Sequence, residues 1–430
     1  MDQDPVREHV AGPARGARII GSRCTSASFV NPPATDSMTY RTLGRMLVAG
    51  LGALGVLLAG CAAGGDAGAN RVERVDSAGI AVVRNIGPDR PLRWAVHEVL
   101  RLGGADEGPE AFFNVYPQSV QVDARGHLIV LDAGNHQVHE FDREGRHVRT
   151  LGRKGGGPGE MELPSMLSLG PDGIVGVYDY TKRGVLRFAA DGSPLETMRV
   201  NRPPRYGAVL AGSGLLGVYS EFTMGADYET VRLVYTEGAD SVEIAALQVG
   251  DMKPVDFGCV SISGMSPLLQ PDLVYAVAGD RVLINAGAEY VVRAHGLDGR
   301  VHTVITRDLP PVPATAELAR LEVGDSMRIR IGTEVCSVPA EKVVEARGYA
   351  SVVPAVRGIV AAPDGGFWVR RGVGRDNPTI DVFAADGEYL GTLPEGTPFP
   401  AAFRGPDEIV TVERDELDLP YVVVYRIERG

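Results

Sequence analysis

Two stretches of this chain lie over one another at a fixed offset, and that offset restricts the fold more than any composition figure. VQVDARGHLIVLDAGNHQVHEFDREGRHVRTL (120–151) and LSLGPDGIVGVYDYTKRGVLRFAADGSPLETMRV (167–200) share one plan. Each reads as an apolar strand, a turn ending in glycine, and a second strand reaching Asp132 or Asp179. A third strand carrying Phe141 or Phe188, another glycine turn and a fourth strand follow. Gly126 to Gly173 spans 47 residues, and so does Gly145 to Gly192. Short β-rich runs divided by Asp-Gly and Gly-Pro turns at such a period indicate an all-β repeat protein. The unit returns over 359–393, more faintly over 273–305, and in degenerate form over 206–247. A four-stranded unit of this size leaves a flat face that only a neighbouring unit can cover. The units are therefore expected to stack as blades around an axis, in a β-propeller. With 55 glycines and 29 prolines, the chain has turn formers in proportion.

Blades are expected near 111–163, 164–203, 205–250, 268–312, 355–398 and 400–428, which makes six, with seven as the alternative. The last of these offers only three strands. Its missing fourth is found at the other end of the chain. HEVLRLGGADEGPE (97–110) matches HVRTLGRKGGGPG (147–159) at an offset of 49, Leu102, Gly103, Gly108 and Pro109 falling on Leu151, Gly152, Gly157 and Pro158. The segment around 95–102 thus has the character of a fourth strand with no blade before it. Completing the final blade, it would close the ring and remove free sheet edges. Residues 310–350 break the pattern: AELARLEVGDSMRIRI and PAEKVVEARGYA are spaced for short helices. The region reads as an inserted or elaborated loop, the place on a rigid scaffold where something specific is carried.

The N-terminus is of a different kind. Residues 46–59, MLVAGLGALGVLLA, are uncharged and apolar behind Arg41 and Arg45. The run is short for a spanning helix and fits the h-region of a secretory signal. It ends in Leu58-Ala59-Gly60-Cys61, which resembles the bacterial lipobox and implies cleavage before Cys61 and lipidation of its thiol. The following AAGGDAGAN has the composition of a flexible tether. The expected organisation is a non-native extension over 1–37, a lipoprotein signal over 38–60, a tether over 61–75 and the propeller over 76–430. Ala62, rather than Asp, after Cys61 points to an outer-membrane address in a cell with two membranes. Of the four cysteines, Cys24 lies in the extension and Cys61 is the lipid site. Cys259 and Cys336 remain, free to pair as a disulfide in an exported protein or to stay as two buried thiols.

The stretch 117–164 closely resembles an NHL repeat, with its Gly-Asn-His turn at 134–136, Phe141-Asp142 and a glycine-rich link. Over roughly 76–428 the chain resembles six-bladed β-propeller lipoproteins of environmental bacteria. DSAGIAVVRN (76–85), the GPGE link, IDVFAADGEYLGTLP (380–394) and RDELDLPYVVVYRI (414–427) carry that likeness. It implies a fold and an extracytoplasmic location at the cell envelope, in the periplasm or on the cell surface. Members of this group generally have no assigned reaction, so it supplies no catalytic residue.

The formal charge of −12 argues against nucleic acid as a partner, since phosphate backbones call for a cationic footprint. The glycines of LGRKGGGPGE (151–160) invite comparison with a phosphate-binding loop. Lys154, however, precedes them, and no Ser/Thr-bearing helix follows. They are read as a link between blades. His136 and His139 are three apart on a predicted strand and so point to opposite faces, which disfavours a joint metal site. Asp132 and Asp179 hold equivalent positions in consecutive blades. They either accept backbone N–H groups in the following turn or line the axis and bind a cation such as Ca²⁺. Arg370 or Arg371 occupies that position in the fifth blade, which weakens a ring of ligands. The chain contains no G-x-S-x-G, H-E-x-x-H or S-x-x-K signature, and no catalytic residue is assigned. The expectation is a monomeric, lipid-anchored binding scaffold for a protein or saccharide, without cofactor. The alternative is a metal-dependent hydrolase or lyase with a Ca-type cation on the axis.

Overall fold

The computed structural model describes residues 70–430 apart from 106, 224–225, 332–333 and 374–377. The expected signal, the lipobox with Cys61 and most of the tether lie outside the described residues. The body is a six-bladed β-propeller, each blade a run of antiparallel neighbours. Blade 1 comprises Val120–Val122, Leu128–Asp132, Gln137–Phe141 and His147–Leu151. Blade 2 comprises Pro164–Leu169, Val175–Asp179, Gly184–Phe188 and Pro194–Arg199. Blade 3 has longer strands, Ala208–Ala211, Gly214–Phe222, Glu229–Glu237 and Asp240–Val249. Blade 4 contains Leu273–Ala278, Arg281–Ala286, Val291–Gly296 and Val301–Asp308. Blade 5 contains Gly358–Ala361, Phe367–Arg371, Thr379–Phe383 and Tyr389–Thr392.

Blade 6 shows how the ring closes. Ala402–Phe403, Glu408–Arg414 and Pro420–Arg429 come from the C-terminus, and the fourth strand is Trp94–Gly103. It runs antiparallel to Pro420–Arg429 with Leu102 opposite Val422 and His97 opposite Arg426. Leu102 is buried with Phe112, Val115, Val422 and Val424, so the closing strand contributes to the core as well as to the ladder.

Period-two alternation explains why single strands are buried throughout. On blade 1, Val120, Leu128, Val130 and Phe141 pack toward Val410, Val422 and Val424 of blade 6. The intervening Ile129, Leu131, Val138 and Leu151 pack toward Leu167, Val177, Leu186 and Phe188 of blade 2. Each such side chain contributes roughly 1.5–3 kcal/mol on burial. The blades therefore cohere because successive residues face opposite neighbours.

Two features depart from the repeat. The fold begins within the segment expected to be a tether, since Arg71–Ser77 is already a strand. It forms a hairpin with Ile80–Ile86 whose two turn residues, Ala78 and Gly79, have φ of 55° and 83°, the left-handed pair that a two-residue hairpin needs. Ile80–Ile86 then adds in parallel to the outer strand of blade 4, with Val83 opposite Ile305, making that sheet six-stranded. Asn85 ties the hairpin to blade 5 by donating to Gly387 O at 3.0 Å and accepting from Tyr389 N at 2.8 Å.

The second departure is a lobe built from two insertions. Between blades 3 and 4 lies the hairpin Lys253–Asp256/Ser261–Met265. Between blades 4 and 5 come α1 (Ala316–Val323), the hairpin Ser326–Ile331/Glu334–Pro339, and α2 (Ala340–Arg347). Thr315 caps α1, its hydroxyl accepting from Leu318 N at 3.2 Å. The two helices were legible in the sequence, but SMRIRI (326–331) is a strand, its alternating Met327 and Ile329 packing with Val338, Val343 and Val344. Cys259 and Cys336 are joined as a disulfide across the two insertions, their Cα atoms 5.9 Å apart.

Candidate binding cleft

In an antiparallel four-stranded blade, the entry to strand one, the end of strand two and the start of strand three share one end of the barrel. At that end of blades 3, 4 and 5 the lobe encloses a cleft of about 510 Å³. Arg205 comes from the link into blade 3, held there by Arg205 N donating to Val218 O at 2.6 Å. Arg357 occupies the link into blade 5 in the same way, its N–H reaching Arg370 O at 2.7 Å. Arg370 is the last residue but one of strand two in blade 5, and Arg347 ends α2. Leu268, Leu269, Val323, Met327, Val343 and Val356 supply the apolar wall.

The guanidinium groups are held differently. Arg205 pairs with the buried Glu229 at 3.1 Å, and Arg357 pairs with Glu322 of α1. Arg370 donates to Arg357 O at 3.1 Å and lies over the Phe399 ring. Arg347 gives Nε and Nη2 to one neutral acceptor, Ser266 O, at 3.0 and 2.9 Å. Burial lowers its pKa, opposed by the charge of Glu322. Arg347 and Pro267 also line a second cavity, of about 480 Å³, whose other walls include Asp227, Asp251 and Lys253. None of these residues was singled out from the sequence apart from Arg370.

Asp132 and Asp179 have a different role. Both are fully buried at the ends of their strands. Asp132 accepts from Phe113 N and Asn114 N at 2.8 and 2.9 Å, and from Gly134 N and the Asn135 side chain at 3.1 and 2.8 Å. Asp179 accepts from Glu162 N, Leu163 N and Lys182 N at 2.7, 3.1 and 3.0 Å. Each carboxylate fastens the incoming inter-blade link to the turn after strand two. Their oxygens are committed to N–H donors.

Among the described residues, His, Cys, Asp and Glu ligand atoms converge in one place, where those of Asp123, His127 and Glu140 lie within 4.8 Å of one another. Two arginines already compensate this cluster. Glu140 accepts from Arg149 Nε at 2.6 Å and Arg125 Nη2 at 2.7 Å, while His127 Nδ1 lies 2.8 Å from it. Burial works to raise the Glu140 carboxyl, but hydrogen bonds from His127 and Arg149 and the nearby cations hold it below the usual range. A divalent cation would have to displace both guanidinium groups, so the donor set fits an ion-pair network better than a Ca²⁺ site. It also sits on the turn between strands one and two and on strand three, away from the cleft.

The glycine-rich link contains its own anion. Glu160 accepts from Gly157 N at 2.7 Å and Arg153 Nε at 2.8 Å, and those contacts hold its pKa down. Met161 N closes the loop onto Arg153 O at 2.8 Å. At Gly152, φ is 75° and an added Cβ would stand 2.3 Å from Met161 Cε, so the link needs glycine there. His136 is in the turn before its strand, at φ 56°, and not on the strand as expected; its Nδ1 has no hydrogen-bond partner. His139 is on the strand and buried, 3.0 Å from Thr150 Oγ1. The pair therefore makes no joint site.

A family model described as DUF5128, a 6-bladed beta-propeller, matches residues 110–206, which span blades 1 and 2. No curated protein matches the chain. Among solved structures, a candidate exported protein from Bacteroides fragilis is similar at 13% identity, over 81% of this chain and 100% of its own, with a TM-score of 0.46. A DUF4221 family member from Bacteroides vulgatus is similar at 9% identity, over 78% and 99%, with a TM-score of 0.45. Virginiamycin B lyase from Staphylococcus aureus is similar at 13% identity, over 77% and 99%, with a TM-score of 0.35. None of the three lends this chain a ligand or a reaction.

Proposed function

We propose that this protein is a binding propeller of the cell envelope, anchored through a lipid on Cys61 and engaging a protein partner with the end that carries the lobe. The observation that carries this reading is the cleft of about 510 Å³ between the lobe and the links into blades 3, 4 and 5. Its size falls within the range of ligand pockets, and mixed apolar and charged walls are what such pockets use to orient what they hold. A protein is preferred to a saccharide because, among the described residues, no Trp, Tyr or Phe lines the cleft to stack on a sugar ring. The NHL-like character of the repeats and the lipobox-like Leu58–Cys61 support the envelope location.

The metal-dependent hydrolase or lyase reading would be supported by ligands converging on the axis. The acidic pair offered for that role is saturated by backbone donors, and the Asp123–His127–Glu140 cluster is neutralised by arginines. Binding is therefore the reading we favour.

The test is affinity purification of the full chain from membranes, beside a variant with Arg205→Glu and Arg370→Glu. A partner retained by the native chain and lost by the variant is the expected result. A partner held equally by both would refute the assignment of the cleft. Anchoring is tested by Cys61→Ala, which should move the protein from the membrane to the soluble fraction. Unchanged fractionation and processing would refute the lipid.

A further inference from the structure

We propose that the cleft recognises a single carboxylate carried on an apolar body, with Arg347 as the group that meets the acid. This deepens the binding role proposed above and rests on it. Arg205 and Arg357 are each held by a carboxylate of the protein, Glu229 and Glu322. Arg347 is held only by Ser266 O, a neutral main-chain acceptor, and among the described residues no carboxylate lies within ion-pair distance of it. Two of its five N–H groups are spent on that carbonyl, leaving a guanidinium edge of the shape that takes a carboxylate in two parallel hydrogen bonds. An arginine keeps its charge even where burial works against it. A half-buried cation beside a cavity without an anionic partner is the arrangement that an incoming anion stabilises.

The rest of the wall defines what carries the acid. Leu268, Leu269, Val323, Met327, Val343 and Val356 give an apolar surface of aliphatic side chains. They suit branched or straight alkyl groups rather than a polyanion or a sugar. Glu229, Glu322 and Asp272 also line the cleft, so a dianion such as a phosphate monoester would meet more repulsion there than a single carboxylate. The chemistry is shared by two sources: the C-terminal carboxylate of an apolar peptide tail, and a free aliphatic acid.

The experiment is calorimetric titration of the full chain, purified in detergent, with three probes and their amides. The probes are acetyl-Ala-Val-Leu with a free carboxylate, acetyl-Leu-Leu-Val with a free carboxylate, and octanoate. One-to-one binding of an acid, with the matching amide at least tenfold weaker, is expected. Binding of the peptides alone assigns the site to a protein terminus, and binding of octanoate alone assigns it to a free acid. Acids and amides binding equally, or no acid binding at millimolar concentration, overturns the proposal. Arg347→Gln should weaken the acid at least tenfold. Glu322→Gln, which frees Arg357, should tighten it. A purely structural role for these residues would move both variants in the same direction. If the probes fail while the membrane partner is still captured through the cleft, the ligand class falls and the binding role stands. If the probes bind but no partner depends on the cleft, the reverse holds.

Discussion

Asp381 is the residue whose loss should cost this fold most for the fewest atoms removed. It is fully buried in strand three of blade 5 and accepts from four side chains. Tyr290 Oη, Arg307 Nη1, Arg371 Nε and Thr392 Oγ1 approach at 2.8, 2.9, 3.0 and 2.7 Å. Arg307 is itself 1% exposed at the side chain and lies 3.7 Å from the centre of the Tyr389 ring. Asp89, on the segment after the N-terminal hairpin, pairs with both arginines from the outside. Asp381→Asn keeps the shape and removes the charge, leaving two buried or half-buried guanidinium groups to share the half-exposed Asp89. Breaking a buried pair by removing one partner costs about 3–5 kcal/mol. That is a large part of the roughly 5–15 kcal/mol by which folded proteins are stable.

Urea unfolding can be followed through tryptophan fluorescence, because Trp368 is buried in blade 5 itself. The midpoint should fall with little change in slope. Arg307→Met in the Asp381→Asn background should recover part of the loss, since the double variant no longer buries an uncompensated cation. A single variant that costs less than about 1 kcal/mol, or two variants whose costs simply add, would refute the reading that the pair is coupled.

Other outcomes follow from the same reasoning. Leu102→Ala, which opens a cavity in the closing blade, should cost about 2–5 kcal/mol in the same assay, and a surface-like loss below 1 kcal/mol would mean that the N-terminal strand does not close the ring. Cys259→Ser should loosen the lobe first, exposing 326–347 to limited proteolysis while the blades stay protected; by loop closure the bond contributes at most about 4–5 kcal/mol. Burial, aided by the charge of His147, pushes His139 down to about 4 from an ordinary 6.5. The unfolded chain therefore binds the extra proton between these values, and stability present at pH 7 should decline as pH falls through 6.5 toward 4, by up to about 3 kcal/mol. His139→Gln should flatten that part of the profile, and an unchanged profile would refute the assignment.

The ring was legible because each of its devices is repeated. Gly126 and Gly173, with φ of 81° and 73°, mark equivalent turns, and the burial of Phe141 and Phe188 marks equivalent strands. The match of Leu102 and Gly103 to Leu151 and Gly152 marks the closing strand, and the three-stranded last blade marks its partner. The hairpin at 71–86 carried no such mark. Its docking on blade 4 depends on an edge that another part of the chain leaves open, and nothing in ERVDSAGIAVVRN names that edge. The disulfide was open for a similar reason: Cys259 and Cys336 are 77 residues apart, with all of blade 4 between them.

The cleft was hidden because it is made where the repeat fails. In blades 1 and 2 the residue ending strand two is an aspartate that binds the backbone of the incoming link. In blade 5 that place belongs to Arg371, whose side chain turns to Asp381 and Asp89 instead. The preceding Arg370 lines the cleft and holds the incoming link through Arg357, whose N–H it accepts at 2.7 Å and whose carbonyl it donates to at 3.1 Å. From sequence, this substitution counted against a ring of cation ligands, and that inference needs only the charge. It also marks a blade whose incoming link is fastened by an arginine instead of an aspartate. A broken repeat position is thus informative twice: it weakens the ring of cation ligands that the repeat would have built, and it lies on the side of the ring where the cleft opens. The lobe sits over blades 3 to 5, at that break, rather than over blades 1 and 2, where the aspartates are intact.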